Sequence, residues 1–505
     1  MSEKVIGLFK TALLVFVIVF SPLLGQLNLW ESTASAQQRP AVEIGMQSAP
    51  SSAASDAALG VKYRYQYLSG GAGRNTWPTW NVNGNFPLYY IQDSKENGVT
   101  PVFTYYMICQ ATDQCYSNER EAIKNHLANQ AIMTSYWEEL SLFFEKAAEE
   151  PGTEVILHVE PDMWGFLQLA SPNDSANSYS DPVQVSSTGV AGLSGLPNTL
   201  SGLAQGYFAL RSYHGASNVK IAYHLSIWGT NVDIGVSDPS ESEIRALGDR
   251  SANFYNSLGQ RFDMTFVDIR DRDAGYYAYF GDNSAWWNAQ DYQNNIAYLK
   301  QYNSQTGQAL MLWQLPYGNT LYRAMDNSWF HFQDNAVETL IGETNYSSLY
   351  AYEDAGLIGI LFGIGASGTT CACDAAEDGV TNPEPISGNN LMSLSADDDG
   401  GYFKDRVATY YQIAPPPTTT PRPTEPPTGE ATATQGAQPS SPTPPPLSGT
   451  ATAVFPAPDP TNSSATQTPT VPPVSTIPPP STSTATPVRP SFFPTVWLYI
   501  PFVNK

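Results

Sequence analysis

The chain has little positive charge, few cysteines and no long apolar run after its first 25 residues. Its 505 residues include 24 Lys and Arg against 47 Asp and Glu, a formal net charge of −23. Such an excess of negative charge repels phosphate backbones and anionic membranes, which argues against nucleic acid as a partner. No later segment is apolar for long enough to cross a bilayer, so we expect no membrane span in the mature chain.

Motifs that define several enzyme classes are also missing. No GxGxxG sequence or P-loop lysine follows the first predicted strand, which argues against a nucleotide-binding fold. The chain contains neither HExxH nor GxSxG, so the zinc-protease and α/β-hydrolase classes lack their defining residues. We expect no cofactor and no bound metal.

Aromatic residues, by contrast, are abundant. They make up 12 % of the chain, with 29 Tyr and 11 Trp, while charged residues make up only 14 %. Aromatic rings stack well on neutral polar ligands, of which sugars are the main class. The composition therefore favours a carbohydrate ligand, although acidic, Tyr-rich surfaces also occur in secreted proteins without one.

The two ends of the chain differ from its middle. Residues 1–36 have the features of a secretory signal peptide: Lys4 and Lys10, an apolar run at 11–25, and a small-residue cleavage site at 34–36. An uncleaved anchor is the alternative. We expect the protein to be exported, either secreted or associated with the cell surface.

Three further segments flank or follow the middle of the chain. Residues 37–56 are predicted to be an N-terminal linker. Residues 413–490 are rich in Pro, Thr and Ser and should form an extended spacer. Residues 491–505 form a short hydrophobic tail, which predicts sorting, surface retention or docking.

Residues 57–412 are predicted to form one domain in which strands alternate with amphipathic helices. The predicted strands are Val61–Tyr67, Pro101–Ile108, Glu154–Glu160, Val219–Leu225, Met264–Asp268, Ala309–Leu315 and Leu357–Gly363. The predicted helices are Glu119–Glu149, Leu200–Tyr213, Glu241–Ser257, Asn288–Tyr302 and Asn335–Ala355. This alternation indicates a parallel barrel or a doubly wound sheet, and we favour a TIM-like (β/α) barrel of seven or eight strands, regular or distorted.

The four cysteines fall in two close pairs. Export predicts that they are oxidised, with three possible connectivities. A bridge between Cys371 and Cys373 would span a single residue and be strained, so we expect either a local Cys109–Cys115 loop or two bridges between the pairs. No His lies beside either pair, which argues against zinc.

The third predicted strand runs into Glu160-Pro161-Asp162, followed by Trp164. In a parallel barrel the active site lies at the carboxyl ends of the strands, so polar residues there are functional candidates. Two acids this close cannot both ionise freely, and a retained proton is what a general acid needs. A capped strand end with a salt-bridged acid is the structural alternative.

The fifth predicted strand ends at Asp268, and its loop carries Asp271 and Asp273 beside two arginines. We predict a catalytic or substrate-positioning role for Asp268. Structural ion pairing or a calcium site is the alternative for all three acids.

Aromatic and amide side chains near other strand ends suit a sugar, since rings stack on it and amides hydrogen-bond to it. A core Trp and a hydrogen-bonded structural His are the alternatives. The predicted substrate-binding residues are Trp164, Trp228, Trp313, Gln314, Tyr105, His224 and Asn319.

The EPD sequence at 160–162 is similar to the IEPD motif of glycoside hydrolase family 6, a family of inverting cellulases with a distorted barrel. This resemblance implies that Asp162 is the general acid and Glu160 its hydrogen-bonded neighbour. Asp113, beside a cysteine, loosely resembles an aspartate in the second-strand loop of that family, and Asp268 in FVDIRDRD is similar to the aspartate of its FIVDTSRNG-like segment.

The match weakens in WQLPYGN, which takes the place of the family's WVKPPGE-like segment. Gln314 and Asn319 replace its lysine and acid, so the resemblance does not identify the base.

These features predict an exported glycoside hydrolase that cleaves a polysaccharide, with a β-1,4-glucan such as cellulose as the expected substrate. Asp162 would protonate the leaving oxygen, and Asp268 or Asp113 would activate water. Inversion needs the two carboxyls roughly 6.5 to 9.5 Å apart, whereas about 5 Å indicates retention. The alternatives are a non-catalytic barrel that binds carbohydrate or cell wall, and a polysaccharide lyase or deacetylase.

Overall fold

The computed structural model describes residues 39–412, except 75, 344, 366–367 and 385–387. The predicted signal peptide, the spacer and the hydrophobic tail lie outside the described residues. Within the described part, no helix is long and apolar enough to cross a membrane.

Eight parallel strands form a closed barrel, which confirms the predicted (β/α) barrel. Each strand pairs with the next along the chain, and β1 pairs with β8 to close the ring. The strands are β1 (Glu43–Gln47), β2 (Tyr63–Ser69), β3 (Thr100–Tyr106), β4 (Val155–Val159), β5 (Val219–Ser226), β6 (Met264–Asp268), β7 (Leu310–Leu315) and β8 (Leu357–Phe362).

The strand that sequence analysis missed is β1, which lies in the segment predicted to be a linker. The barrel domain therefore begins before residue 57, and that boundary was wrong. The strand has only five residues, and Gly45 interrupts its apolar pattern. A Cβ at Gly45 would lie 2.5 Å from Leu361 and 2.6 Å from Tyr63, so only glycine allows this close approach.

The last helix holds β1 in place. The side-chain hydroxyl of Tyr411 accepts a hydrogen bond from the backbone N–H of Ile44 at 2.8 Å. Tyr410 donates to the carbonyl of Val42 at 2.6 Å, and the Arg39 guanidinium lies over both tyrosine rings. The start and the end of the described domain are thus fastened to each other.

Helices cover the outside of the barrel. The α-helices are Ala53–Leu59, Phe86–Asn97, Glu119–Ala128, Gln130–Ala148, Met163–Leu169, Leu200–Tyr213, Glu241–Ser257, Ala274–Tyr279, Ala289–Thr306, Ser347–Asp354 and Tyr402–Tyr410. Short 3-10 turns lie at Trp77–Thr79, Val82–Gly84, Cys109–Ala111, Asp113–Tyr116, Pro172–Asp174, Ala176–Ser178 and Ser186–Thr188, and a π-helical turn at Glu338–Gly342.

Two predicted helices are broken in the structure. The segment Glu119–Glu149 is two helices, because Asn129 adopts an extended conformation and its side chain accepts hydrogen bonds from the backbone N–H groups of Ala131 and Ile132. This Asn caps the second helix, a role that its type favours and that an apolar periodicity does not report. The segment Asn335–Ala355 is likewise divided into the π-helical turn and a separate α-helix.

The strands alternate between the barrel interior and the outer helices. On β4, Val155, Leu157 and Val159 pack outward in the large core under the helices, whereas Ile156 packs inward. A small inner cluster fills the barrel with the side chains of Tyr65, Val102, Ile156, Ala222, Met264, Phe266, Met311, Trp313 and Leu361. Residues two positions further along these strands therefore face the carboxyl-end mouth of the barrel.

Both disulfides are local. Cys109 pairs with Cys115, one of the expected connectivities. The second bridge joins Cys371 to Cys373, contrary to the expectation that a bridge across one residue is too strained.

Candidate functional site

The alternation of the strands places a polar layer above the inner apolar cluster. Counting two residues on from Val102, Ile156, Ala222 and Phe266 reaches Thr104, His158, His224 and Asp268. We call the group of acids at this end of the barrel the acidic mouth: Glu119, Asp162, Asp268 and Asp271. The negative charges of Glu119, Asp268 and Asp271 all raise the pKa of Asp162.

The turn after β4 has an unusual backbone. Glu160 and Asp162 have φ angles of 50° and 64°, which are rare for residues other than glycine. Such conformations cost about 1 to 3 kcal/mol each and concentrate at functional sites. Pro161 between them has no N–H to leave unpaired. The turn therefore carries strain that positions the side chain of Asp162.

Glu160 anchors this turn to the next strand. Its carboxylate accepts hydrogen bonds from the backbone N–H groups of Met107 at 3.0 Å and Ile108 at 3.2 Å. Burial raises the pKa of Glu160 to about 8, against the opposing effect of these bonds. The hydrogen bond between Glu160 and Asp162 that the resemblance implies is absent among the described residues, because the Glu160 carboxylate binds the backbone N–H groups that follow β3 instead.

Asp162 lies partly exposed at the centre of the acidic mouth. Loss of water around the carboxyl group raises its pKa well above the ordinary range, and the charges of Glu119, Asp268 and Asp271 raise it further. No cation lies in contact with it among the described residues. The surroundings of Asp162 therefore favour the protonated form that a general acid requires.

Glu119 was not predicted as a site residue. It is the first residue of the helix Glu119–Ala128, and the hydroxyl of Tyr106 donates a hydrogen bond to its Oε1 at 2.9 Å. Burial raises the pKa of Glu119 to about 7, although the Tyr106 bond lowers it. A sequence signal existed, since an acid in the first turn of a helix after a barrel strand lies near the mouth.

Asp268 ends β6 beside a buried histidine. His224 Nε2 lies 3.2 Å from Asp268 Oδ1, and one oxygen of Asp162, one of Asp268 and one ring nitrogen of His224 all lie within 4.8 Å of one another. One imidazole and two carboxylates are donors that a divalent cation accepts. An ion there would replace the contact between His224 and Asp268.

The two arginines of the loop after β6 pair with Asp271 of the same loop and with Asp334 of a later one. Asp271 is in contact with the Arg272 guanidinium and accepts a hydrogen bond from the Tyr277 hydroxyl. The preceding residue, Arg270, forms a buried ion pair with Asp334 at 2.7 Å. Structural ion pairing, the alternative given above for this loop, thus describes Asp271.

Asp273 is also structural. It is fully buried and accepts hydrogen bonds from the backbone N–H groups of Gly318 at 3.0 Å and Thr370 at 2.9 Å. It therefore fastens the loops after β7 and β8 to the loop after β6.

Three of the predicted sugar-binding residues lie at the mouth or just beneath it: His224 beside Asp268, Gln314 and Trp313. Gln314, at the end of β7, has a φ of 59° and accepts a hydrogen bond from the hydroxyl of Tyr67. The charges of Asp162, Asp271 and Asp268 all raise the pKa of Tyr67, after burial, so this hydroxyl faces the same acids. Trp313 is 4 % exposed and closes the barrel beneath them.

Three other predicted sugar-binding residues lie away from the mouth. Trp164 is fully buried among Tyr207, Tyr223 and Phe262. Tyr105 is also buried and donates to the carbonyl of Tyr136 at 2.9 Å. These rings face outward from the barrel into the helix layer, so they present no surface to a sugar.

Asn319 is fully buried as well. Its side chain donates to the carbonyl of Asp399 and accepts from two backbone N–H groups, which makes it a loop anchor.

The last two predicted residues lie nearer the surface. Trp228 is partly exposed and packs on Phe166, beside Gly165. Asp113 is exposed, with its carboxylate 2.9 Å from Arg74. It is absent from the charges that act on Asp162.

No protein-family model and no curated protein matches the chain. Solved structures align with it at low identity. Xylanase B from Clostridium stercorarium F9 is 12 % identical, with 72 % of this chain and 96 % of that chain covered and a TM-score of 0.37. A GH6 enzyme from Orpinomyces sp. Y102 is 14 % identical over 70 % and 86 %, with a TM-score of 0.30.

A GH26 β-mannanase from Bacteroides ovatus is 11 % identical over 73 % of this chain and 89 % of that chain, with a TM-score of 0.34. The family 6 enzyme is thus one of several glycosidases with a similar degree of likeness.

Proposed function

We propose that the protein is a glycoside hydrolase that cleaves a polysaccharide at the acidic mouth of its barrel. The observation that carries the proposal is the pair Asp162 and Asp268, an acid whose pKa is strongly raised beside a carboxylate that contacts a histidine. Two carboxyl groups in different environments are what glycosidic bond cleavage requires.

The spacing of the pair favours retention of the anomeric configuration. One oxygen of Asp162 and one of Asp268 lie within 4.8 Å. This is nearer to the roughly 5 to 5.5 Å of retaining pairs than to the roughly 6.5 to 9.5 Å of inverting pairs. We therefore assign Asp268 as the nucleophile rather than as a base that acts through water.

The proposed reaction has two steps. The Asp162 carboxyl group donates its proton to the glycosidic oxygen while a carboxylate oxygen of Asp268 attacks the anomeric carbon, which releases the leaving alcohol and forms a glycosyl ester. The Asp162 carboxylate then takes a proton from water, whose oxygen attacks the same carbon and restores Asp268. Glu119 and Asp271 disfavour ionisation of Asp162 and so keep its proton available.

The expected substrate is a neutral glycan. The mouth is lined by carboxyl groups and by the hydroxyl and amide groups of Tyr67, Tyr106 and Gln314, which would repel an anionic sugar and hydrogen-bond to a neutral one. A β-1,4-linked glucan remains the substrate that we propose first. Export from the cell, with the protein secreted or held at the surface, also remains part of the proposal.

The test is to incubate the full chain with soluble glucan, xylan and mannan and to measure new reducing ends. Native protein should release sugar, and Asp162→Asn should lower the rate by about 100- to 10,000-fold, the usual size of general acid catalysis. Asp249→Asn, on an exposed helix outside the barrel, is the control and should match the native rate.

Proton NMR of the first products gives the anomeric configuration. Inverted product would reject Asp268 as the nucleophile. If no glycan is cleaved but one is bound equally by native protein and Asp162→Asn, the barrel is a carbohydrate-binding protein and not a hydrolase.

A further inference from the structure

A chain of hydrogen-bonding side chains crosses the barrel interior beneath Asp268. Thr104 Oγ1 lies 3.2 Å from His158 Nδ1, and His158 Nε2 lies 3.0 Å from His224 Nδ1. His224 Nε2 in turn lies 3.2 Å from Asp268 Oδ1. Thr104 and both histidines are completely buried. The chain thus links β3, β4, β5 and β6 in strand order.

The surroundings of the two imidazoles are otherwise apolar. His158 packs against Phe266 and Trp313, with ring centroids 4.5 and 4.8 Å away. The titratable groups that face the pair, among the described residues, are Asp162 and Asp268, both next to His224. Burial lowers the pKa of His158 well below its ordinary range, and the neighbouring His224 lowers it further, so His158 is neutral.

With both imidazoles neutral and Asp268 ionised, the donors and acceptors of this chain fit one arrangement of protons. A neutral imidazole donates from one nitrogen and accepts at the other, while a carboxylate only accepts. His224 Nε2 and Asp268 Oδ1 are buried, lie 3.2 Å apart and have no hydrogen-bond partner among the described residues, so a small reorientation of either side chain would join them to each other. If His224 donates to Asp268, its Nδ1 must accept from His158 Nε2, and His158 Nδ1 must accept from the hydroxyl of Thr104.

We propose that Thr104, His158 and His224 are positioning residues that orient Asp268 for attack, by a relay in which every hydrogen bond points toward Asp268. The relay holds Oδ1 and leaves Oδ2 for the anomeric carbon. With both rings neutral, it also fixes both histidines in the Nε2-protonated tautomer, since a single reversed bond would place two donors or two acceptors opposite each other at the next link. The proposal rests on the proposed role of Asp268 as nucleophile.

Nitrogen NMR of the full chain labelled with ¹⁵N-histidine tests the proton arrangement directly. The chain has only five histidines, so His→Gln variants assign each signal. We expect both His158 and His224 to carry a proton on Nε2 and none on Nδ1. A proton on Nδ1 of either ring, or an imidazolium at His158, would overturn the relay. This measurement needs no substrate.

Paired variants at His224 test the positioning role. Gln can still donate from its amide to Asp268 and accept from His158, whereas Leu of similar size can do neither. We expect His224→Leu to lower kcat by about 10- to 100-fold, the usual cost of losing a residue that orients a reacting group. KM should change by less than about threefold, and His224→Gln should recover most of kcat. A role in packing alone predicts the reverse, because the apolar Leu suits a buried site better.

The same two variants at His214, which contacts Ser141 on the outside of the barrel, are the matched control and should leave kcat unchanged. Equal loss of kcat in His224→Leu and His224→Gln would reject the positioning role. If native protein cleaves no glycan, the proposed function fails, while the tautomers of His158 and His224 still decide whether the relay exists.

Discussion

The loops after β4 and β6 both carry carboxyl groups to the mouth of the barrel, but only the β6 loop brings cations with them. After β4, Glu160 binds backbone N–H groups and Asp162 has other acids as neighbours. After β6, Asp271 contacts Arg272, and Asp268 contacts His224. Asp162 is therefore surrounded by acids that favour its protonated form, whereas Asp268 faces a histidine, and this is the difference that the proposed acid and nucleophile need.

The largest effect is expected from removing the charge of the β6 acid. Asp268→Asn should lower kcat/KM by about 100- to 10,000-fold, as much as Asp162→Asn, because each carboxyl has a distinct role in the same step. The pH profiles of the residual activities should differ. Asp268→Asn retains Asp162, whose deprotonation at high pH removes the proton donor, whereas Asp162→Asn has no such group to lose. Assays of reducing ends from pH 4 to pH 9 check this, and identical profiles would contradict the division of roles.

The next effect concerns the cations of the β6 loop. Arg270 and Asp334 form a buried ion pair with side chains 5 % and 0 % exposed. Arg270→Met leaves the Asp334 charge buried without its partner, which should lower the free energy of unfolding by roughly 3 to 5 kcal/mol. Chemical denaturation measures it. The control is Arg250→Met, which breaks the more exposed pair with Asp174 and should cost less than about 1 kcal/mol.

Glu160, on the β4 loop, should make the free energy of unfolding depend on pH. The pKa of Glu160 is raised to about 8 in the folded protein, whereas an unfolded Glu titrates near about 4.3. The unfolded chain then loses its proton first, so the stability contributed by protonated Glu160 is complete below about pH 4.3 and is lost as pH rises toward about 8.

Glu160→Gln keeps the acceptor oxygen but cannot ionise. Between pH 5 and pH 8 its free energy of unfolding should therefore fall less than that of native protein, by at least about 1.4 kcal/mol, the equivalent of one pKa unit. Denaturant titrations at several pH values measure the difference. Parallel curves would show that Glu160 is ionised in the folded protein.

The smallest effect is expected at the edge of the acidic mouth. Tyr106→Phe removes the hydrogen bond that lowers the pKa of Glu119, so that pKa should rise above its present value of about 7. Carbon NMR of ¹³C-labelled Glu carboxyl groups follows it. Tyr116→Phe, at an exposed tyrosine, is the control, and a fall in the pKa of Glu119 would contradict the assignment.

The barrel itself could be predicted because seven of its strands are short apolar runs that alternate with amphipathic helices in the sequence. The eighth, β1, could not, since Gly45 breaks its apolar pattern and the segment is a strand because it pairs with β2 and with the distant β8. In the same way, Asp162 and Asp268 could be predicted from their place at strand ends.

Glu119 was missed although its place in the first turn of a helix after a barrel strand put it near the mouth, and the contact between His158 and His224 could not be predicted because it joins two neighbouring strands. Trp164 and Tyr105 were assigned to the site on residue type alone. Tyr105 lies one position out of phase with the inward-facing residues of β3 and so points to the helices, and Trp164 lies on the helix Met163–Leu169 and packs in the same outer layer.

The fastening of β1 by the last helix has a consequence for biosynthesis. Tyr410 and the carbonyl of Val42 are 368 residues apart in the chain, and β1 also needs β8 as a partner. Neither bond can form until almost the whole domain has left the ribosome, and contacts this distant in sequence form slowly. One edge of the first strand therefore stays unpaired until the end of synthesis, and an unpaired edge is where partly folded chains associate with one another.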